Sequence, residues 1–291
     1  MDQAQQLRNV IKIKNQNSIS NARVITITSG KGGVGKSNVA VNLAVQLHKA
    51  GKRVVIFDAD FGLANVEVMF GSVPKYNLSD VIYQGKNIRE IITTGPMDIG
   101  FISGGSGVIS LNNLYHEQIM YLINALGELN EIADFIIIDT GAGISDQVLQ
   151  FVLASPEVLL VTTPEPSSLT DSYSLLKAMY RNPNFRAEDT AIRILANKTN
   201  SREEGMAVYN KLNSVVKQFL QGELEFFGMI PQDAALEKAV RQQKIVSMYD
   251  SAARSTKAFE QLTSRLLNGE QVDAPAKWGI TQLFASLFRK S

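Results

Sequence analysis

Short runs of consecutive apolar residues, rich in valine and isoleucine, alternate along the chain with longer amphipathic stretches. The runs are VITIT (24–28), RVVIF (53–57), IGFI (99–102), FIIID (135–139), VLLVT (158–162), IRILA (192–196) and FFGMI (226–230). A strand that is apolar at every position has both faces covered, as in a parallel sheet with helices outside it. Between the runs, residues 36–50, 116–130, 145–154, 168–181 and 203–219 read as helices. This βαβ rhythm predicts an α/β fold: one doubly wound, mostly parallel sheet of about seven or eight strands with helices on both faces.

Two pieces fall outside the rhythm. Residues 1–22 are polar and precede the first strand; residues 23–267 hold the alternating pattern; residues 268–277, NGEQVDAPAK, read as a linker. Residues 278–291, WGITQLFASLFRKS, follow. There Ile280, Leu283, Phe284, Leu287 and Phe288 recur at helical spacing and share one face, with Trp278 before them and Arg289 and Lys290 after. An apolar and aromatic stripe beside cations, with no acid after Asp273, fits a helix lying in a membrane interface. The same stripe fits a helix docked on its own core, and the two states can alternate. One short anchor binds weakly, whereas two in a dimer bind far better.

Composition narrows the chemistry. Among 291 residues, 29 Lys and Arg face 28 Asp and Glu, a net charge of +1 that demands neither nucleic acid nor an acidic partner. There is no cysteine, which removes disulfides, thiol catalysis and cysteine-held zinc or iron–sulfur sites. The two histidines, His48 and His116, are far apart and read as structural. The first residues, MDQAQQLR, lack the apolar core of a signal peptide. No apolar run approaches the roughly 20 residues of a transmembrane helix. The expectation is a cytoplasmic protein.

SGKGGVGKS, residues 29–37, satisfies the phosphate-loop pattern G-x-x-x-x-G-K-[ST], and it stands between a predicted strand and a predicted helix, as that pattern requires. The cradle comprises Gly30, Lys31, Gly32, Gly33, Val34, Gly35, Lys36, Ser37 and Asn38. Its glycines let N–H groups curl around phosphate oxygens, and the helix N-terminus adds partial positive charge. Lys36 is placed to reach the β- and γ-phosphates of ATP or ADP, and Ser37 to hold Mg²⁺. Asp139 ends an apolar strand in the Walker B manner and is expected to hold the metal through a water. Asp58 and Asp60 end another strand. Two residues apart, they point opposite ways in extended chain. Asp58 suits the metal's water shell and Asp60 the attacking water, although either could cap the following turn.

The spelling KGGVGKS, with Lys31 directly after the first glycine, resembles the deviant Walker A loop of the MinD/ParA class, and the resemblance runs over most of the chain. It implies that Lys31 reaches across an ATP-dependent homodimer to the partner's nucleotide. DADFGLAN (58–65) is similar to the switch I segment of MinD, with Asp60 at the position associated with hydrolysis. DTGAG (139–143) is similar to switch II, with Gly141 where proline is usual. PEPSSLTDS (164–172) resembles a segment near the dimer interface. The resemblance also implies that Asn197 recognises adenine and that Pro231, Gln232 and Asp233 form the loop whose backbone covers the base. Asn197 can also be read as a strand-end cap. The C-terminal helix is similar to the membrane-targeting helix of MinD.

The N-terminal Asp2-Gln3-Ala4-Gln5-Gln6-Leu7-Arg8 matches DQAxxLR of the flagellar MinD-like ATPases, the FlhG (YlxH/FleN) family. In that family the motif activates the SRP-type GTPase FlhF, which implies that Asp2, Gln3, Leu7 and Arg8 meet this partner, Gln3 orienting water beside its GTP. Composition alone reads the segment as a polar tail. The resemblance implies an ATP-hydrolysing switch for flagellar number and placement, at the inner face of the cell membrane when ATP-bound. It further implies contact with membrane phospholipids and with the C-ring proteins FliM and FliN/FliY. A MinD/ParA-type positioning or DNA-partitioning ATPase is the rival reading; near-neutral charge weighs against direct DNA binding. A metabolic P-loop enzyme has no use for Lys31 in trans.

Overall fold

The computed structural model describes residues 21–60, 65–105, 114–268 and 279–287. Asp2, Gln3, Leu7 and Arg8 of the N-terminal motif, and Trp278 and Phe288 of the C-terminal stripe, lie outside the described residues.

β1 (Arg23–Ser29) runs through the glycine-rich loop into α1 (Lys36–Lys49) and returns as β2 (Val54–Ala59). Three short helices, α2 (Asn65–Phe70), α3 (Leu78–Gln84) and α4 (Ile88–Ile91), precede β3 (Thr93–Thr94) and β4 (Gly100–Ser103). α5 (His116–Gly127) and α6 (Leu129–Ile132) lead to β5 (Phe135–Ala142), and α7 (Asp146–Ala154) leads to β6 (Glu157–Thr162). α8 (Pro166–Tyr180) precedes β7 (Ala191–Thr199), and α9 (Arg202–Leu220) precedes β8 (Glu225–Pro231). α10 (Ala234–Arg241), α11 (Val246–Tyr249), α12 (Arg254–Asn268) and α13 (Ile280–Leu287) follow.

The eight strands order as β3-β4-β2-β5-β1-β6-β7-β8, parallel except for β3 beside β4. The chain builds outward from β1 in both directions, so the winding reverses there, and in open α/β sheets ligands bind beyond the strand ends at such a reversal. Alternation along each strand assigns the two faces. Ile25, Ile27, Ile56 and Ile137 pack under α1, α2 and α12. Val24, Phe57, Ile136 and Ile138 pack under α3, α5, α7 and α13. Farther along, Val158, Leu160, Ile192 and Ile194 pack under α7, α8 and α9.

All seven predicted strands are present. The added strand, β3, is two residues long and has no apolar run to announce it. The short helices are below the length at which a helical period is readable. α12 is long enough, but Ser255, Thr256 and Thr263 lie on its buried face beside Phe259, Leu262 and Leu266, which dilutes the apolar stripe.

For the C-terminal stripe the structure realises docking. Ile280, Leu283, Phe284 and Leu287 are all buried in the core. No described helix is long and apolar enough to cross a membrane.

Candidate functional site

The glycine-rich loop takes its shape from the elements around it. A Cβ on Gly30 would lie 2.2 Å from the main chain of Asp171, so the loop's first residue packs directly on α8. Gly35 sits at φ +100°, and a Cβ there would also lie 2.5 Å from Asn197 Nδ2. No side chain caps α1 at Gly35, and its first turn holds no acid. The terminal N–H groups and their partial positive charge are therefore open to an anion.

β7 braces the loop from the far side. The strand shifts register between Ala196 and Thr199, and Lys198 takes φ +57°. The shift turns two donors to the loop: Asn197 Nδ2 donates to the Val34 carbonyl at 2.7 Å, and Lys198 Nζ to the Gly33 carbonyl at 3.0 Å. A left-handed lysine costs about 1–3 kcal/mol and persists only where its surroundings over-determine it. The oxygen of the Asn197 amide accepts the N–H of Lys198 at 2.9 Å. Asn197 thus ties the loop to its own strand. Lys198 was not foreseen; its place beside Asn197 in ANKT was the available signal.

Above the loop opens a cleft of about 770 Å³. Gly32, Gly33, Gly35, Lys36, Ser37 and Asn38 line it, with Asp60 and Asn65 beyond β2, and Gly141, Ala142, Ser145 and Gln147 between β5 and α7. Val240, Gln243 and Lys244 form a far rim that no motif announced. Lys36 is buried, 8% exposed.

The carboxylates divide their roles by burial. Asp58 and Asp139 stand side by side in register on β2 and β5. Asp139 is fully buried, and neither of its oxygens has a well-formed hydrogen bond. Burial raises its pKa to about 6, against the pull of the Ser37 hydroxyl and the Lys36 ammonium. Two orphaned oxygens beside a serine hydroxyl fit a hard cation held through water. No group of three or more potential metal-ligating side chains occurs among the described residues, so phosphates and waters would have to complete such a site.

Asp58, expected in the metal's water shell, also caps the turn that follows it. One oxygen accepts the N–H of Asp60 and the other that of Val66, each at 3.1 Å. Its pKa is pushed up to about 7, first by burial and then by the charge of Asp139. Asp60 lines the cleft, oriented by Asn65 Nδ2 at 3.1 Å. A Cβ on Gly141 would meet Val148 at 3.5 Å and Asp60 at 3.7 Å, ordinary contacts, so this position does not require glycine.

Lys31 is absent from the cleft lining. Its ammonium lies on α8, beside Glu165 and Ser167. Pro231, Gln232 and Asp233 also stand outside the cleft. Pro231 pairs with Thr199 in the sheet, and the N–H of Gln232 donates to the Thr199 carbonyl at 2.8 Å. Asp233 caps α10 through the N–H of Ala235 and ties it to α12 through the N–H and hydroxyl of Ser255. Its side chain is structural, leaving only the backbone of this loop for a base.

The chain matches the ParA family, described as NUBPL iron-transfer P-loop NTPase, over residues 20–267. It is 39% identical to the antiactivator FleN of Pseudomonas aeruginosa over 87% of this chain and 89% of that protein. It is 34% identical to the flagellum site-determining protein YlxH of Helicobacter pylori over 99% of this chain and 98% of that protein. The fold is shared with the cell division ATPase MinD of Pyrococcus furiosus, with a TM-score of 0.66 at 24% identity over 85% of this chain and 99% of that one. A phosphate loop over a buried carboxylate, on this sheet and with these relatives, places the chain in the ParA/MinD family of P-loop NTPases, within its flagellar FleN/YlxH branch.

Proposed function

We propose that this chain is an ATP-hydrolysing dimerisation switch that regulates flagellar number and placement. One observation carries the reading: a single loop sends Lys36 into its own cleft and Lys31 away from it. Phosphoryl transfer is mostly positioning and charge stabilisation. Lys36 and the free N–H groups of α1 hold the β- and γ-phosphates. Ser37 and, through a water, Asp139 are the residues to hold Mg²⁺, which when bound neutralises charge between phosphate oxygens. Asp60, fixed by Asn65, orients the attacking water. Lys31 of a second subunit completes the charge stabilisation, as an arginine finger does elsewhere. Hydrolysis then depends on assembly.

In this reading α13 is the membrane element, docked in the monomer and released in the ATP-bound dimer, where two copies act together. The N-terminal motif, with Gln3 at its centre, activates FlhF, and C-ring proteins FliM and FliN/FliY are further partners. The absence of cysteine argues against carrying over the iron transfer in the family's description.

The test compares sedimentation and liposome flotation in ADP and in ATP with Mg²⁺. Dimers that float only in ATP are expected. A monomer in both nucleotides would overturn the switch. Salt-sensitive DNA binding by the ATP-bound dimer would favour a partitioning role instead.

A further inference from the structure

α10 ends at the far rim of the cleft. A helix C-terminus is a poor neighbour for a phosphate, because its last carbonyls carry partial negative charge. Here those carbonyls are tied back. The N–H of Gln243 donates to the Val240 carbonyl at 3.0 Å, and that of Lys244 to the Ala239 carbonyl at 2.8 Å. The turn that does this puts Gln243 at φ +53°. Glycine takes that conformation without strain and is the usual residue there. A glycine would tie back the same carbonyls, so the turn alone does not account for a glutamine.

The place of the side chain does. Gln243 is exposed and lines the cleft together with Lys36, Ser37 and Asp60. Its carboxamide makes no hydrogen bond to any described residue. α10 starts after Asp233, in the loop whose backbone is left for the base, and its eight residues span about 12 Å. That length carries the chain from the base toward the phosphates. A second left-handed glutamine, Gln221, closes α9 just before β8, at the end of the sheet away from the cleft. It is the same turn with no site beside it.

We propose that Gln243 is a specificity-determining residue whose carboxamide N–H meets the terminal phosphate from the far rim and so favours ATP over ADP. This role rests on the reading of the cleft as an ATP site. A phosphate loop wraps the α- and β-phosphates in its own N–H groups, which leaves the γ-phosphate the one with open faces. A donor on the far rim therefore adds to the binding of ATP and finds little to bond in ADP. The carboxamide supplies that donor without a further charge.

The test measures binding of ADP and of a non-hydrolysable ATP analogue to the full chain, each with Mg²⁺, by displacement of a fluorescent nucleotide. Protein concentrations are kept where sedimentation shows monomer, so that assembly does not enter. Gln243→Gly is expected to weaken the analogue about tenfold while ADP changes by about twofold or less. It should also raise the melting temperature of the nucleotide-free chain by roughly 2 °C, because a left-handed side chain is relieved. Gln243→Glu keeps the shape but replaces the donor with an acceptor and adds negative charge, so it should weaken the analogue further. Gln221→Gly should raise the melting temperature alike and leave both affinities unchanged. Equal losses of ADP and analogue in Gln243→Gly, no loss at all, or full analogue affinity in Gln243→Glu would overturn this role. So would the same loss in Gln221→Gly. If the parent chain binds neither nucleotide, the ATP site itself fails and this role with it. A parent that binds both, with Gln243→Gly silent, sinks only the role of Gln243.

Discussion

Phe284 stands edge-on against Phe57, ring centroids 5.7 Å apart and planes at 89°, and Phe57 immediately precedes Asp58 on β2. Phe151 of α7 closes the triangle, 5.9 Å from Phe284 and 6.0 Å from Phe57. The last described helix thus rests on β2 and α7, which both border the cleft.

Phe151→Leu weakens that seat without touching the stripe on α13. Losing the ring from a fully buried position should cost about 1–2 kcal/mol of core stability. If α13 is detachable, liposome flotation in ADP should rise toward the level in ATP. A urea melt checks the core, and flotation unchanged in both nucleotides would count against release of the helix.

The raised pKa values of Asp58 and Asp139 make a pH prediction. In the unfolded chain both groups lose their protons near 3.8, but in the fold only near 7 and 6. Across that window the folded state binds more protons, so stability falls as pH rises, by at most about 1.4 kcal/mol per pH unit for each proton. Asp134, Glu90 and Asp233 shift the opposite way, and their contribution is complete above their unfolded pKa. The nucleotide-free protein should therefore lose stability from about pH 5 to about pH 7 and level off above. Asp139→Asn should flatten part of that slope, and Mg²⁺ with nucleotide, by keeping both carboxylates ionised in the fold, should flatten it further. Urea melts across the range provide the check; a slope of the opposite sign would refute the assignment.

Asn197→Ala leaves the Val34 carbonyl without its donor, an effect of about 1–3 kcal/mol for a buried group. If Asn197 braces the loop, affinities for ADP and GDP should fall together in calorimetric titrations. A loss confined to ADP would support the adenine-reading role that the resemblance implies. Gly35→Ala, strained in backbone and pressed on the same amide, should lose nucleotide binding altogether.

Asp60→Ala is expected to lower turnover by about 10²–10⁴-fold while ATP still binds. Lys36→Gln should lose ATP affinity as well, because its charge meets the phosphates in the ground state. Steady-state ATPase assays paired with equilibrium binding separate the two, and near-normal turnover in both would sink the site.

Much of this protein is determined by its sequence alone. The uninterrupted valine and isoleucine runs specify a sheet covered on both faces, and the phosphate loop at Gly30–Ser37 specifies where the anion goes, because local spacing suffices for each. Lys31 was conspicuous for the same reason. The tertiary structure decided what depends on partners distant in sequence. Asp58 and Asp60 are two residues apart, yet only the fold makes one a buried cap and the other a cleft carboxylate. The apolar stripe of α13 could face lipid or core with equal economy, and only the fold shows that Phe57 and Phe151 offer it a seat. Asn197 and Lys198 reach the loop because β7 bulges at that point, and Lys31 rests on Glu165 because Gly30 lets α8 come within contact of the loop. Periodicity records which residues share a face; it carries no information about which surface that face will meet.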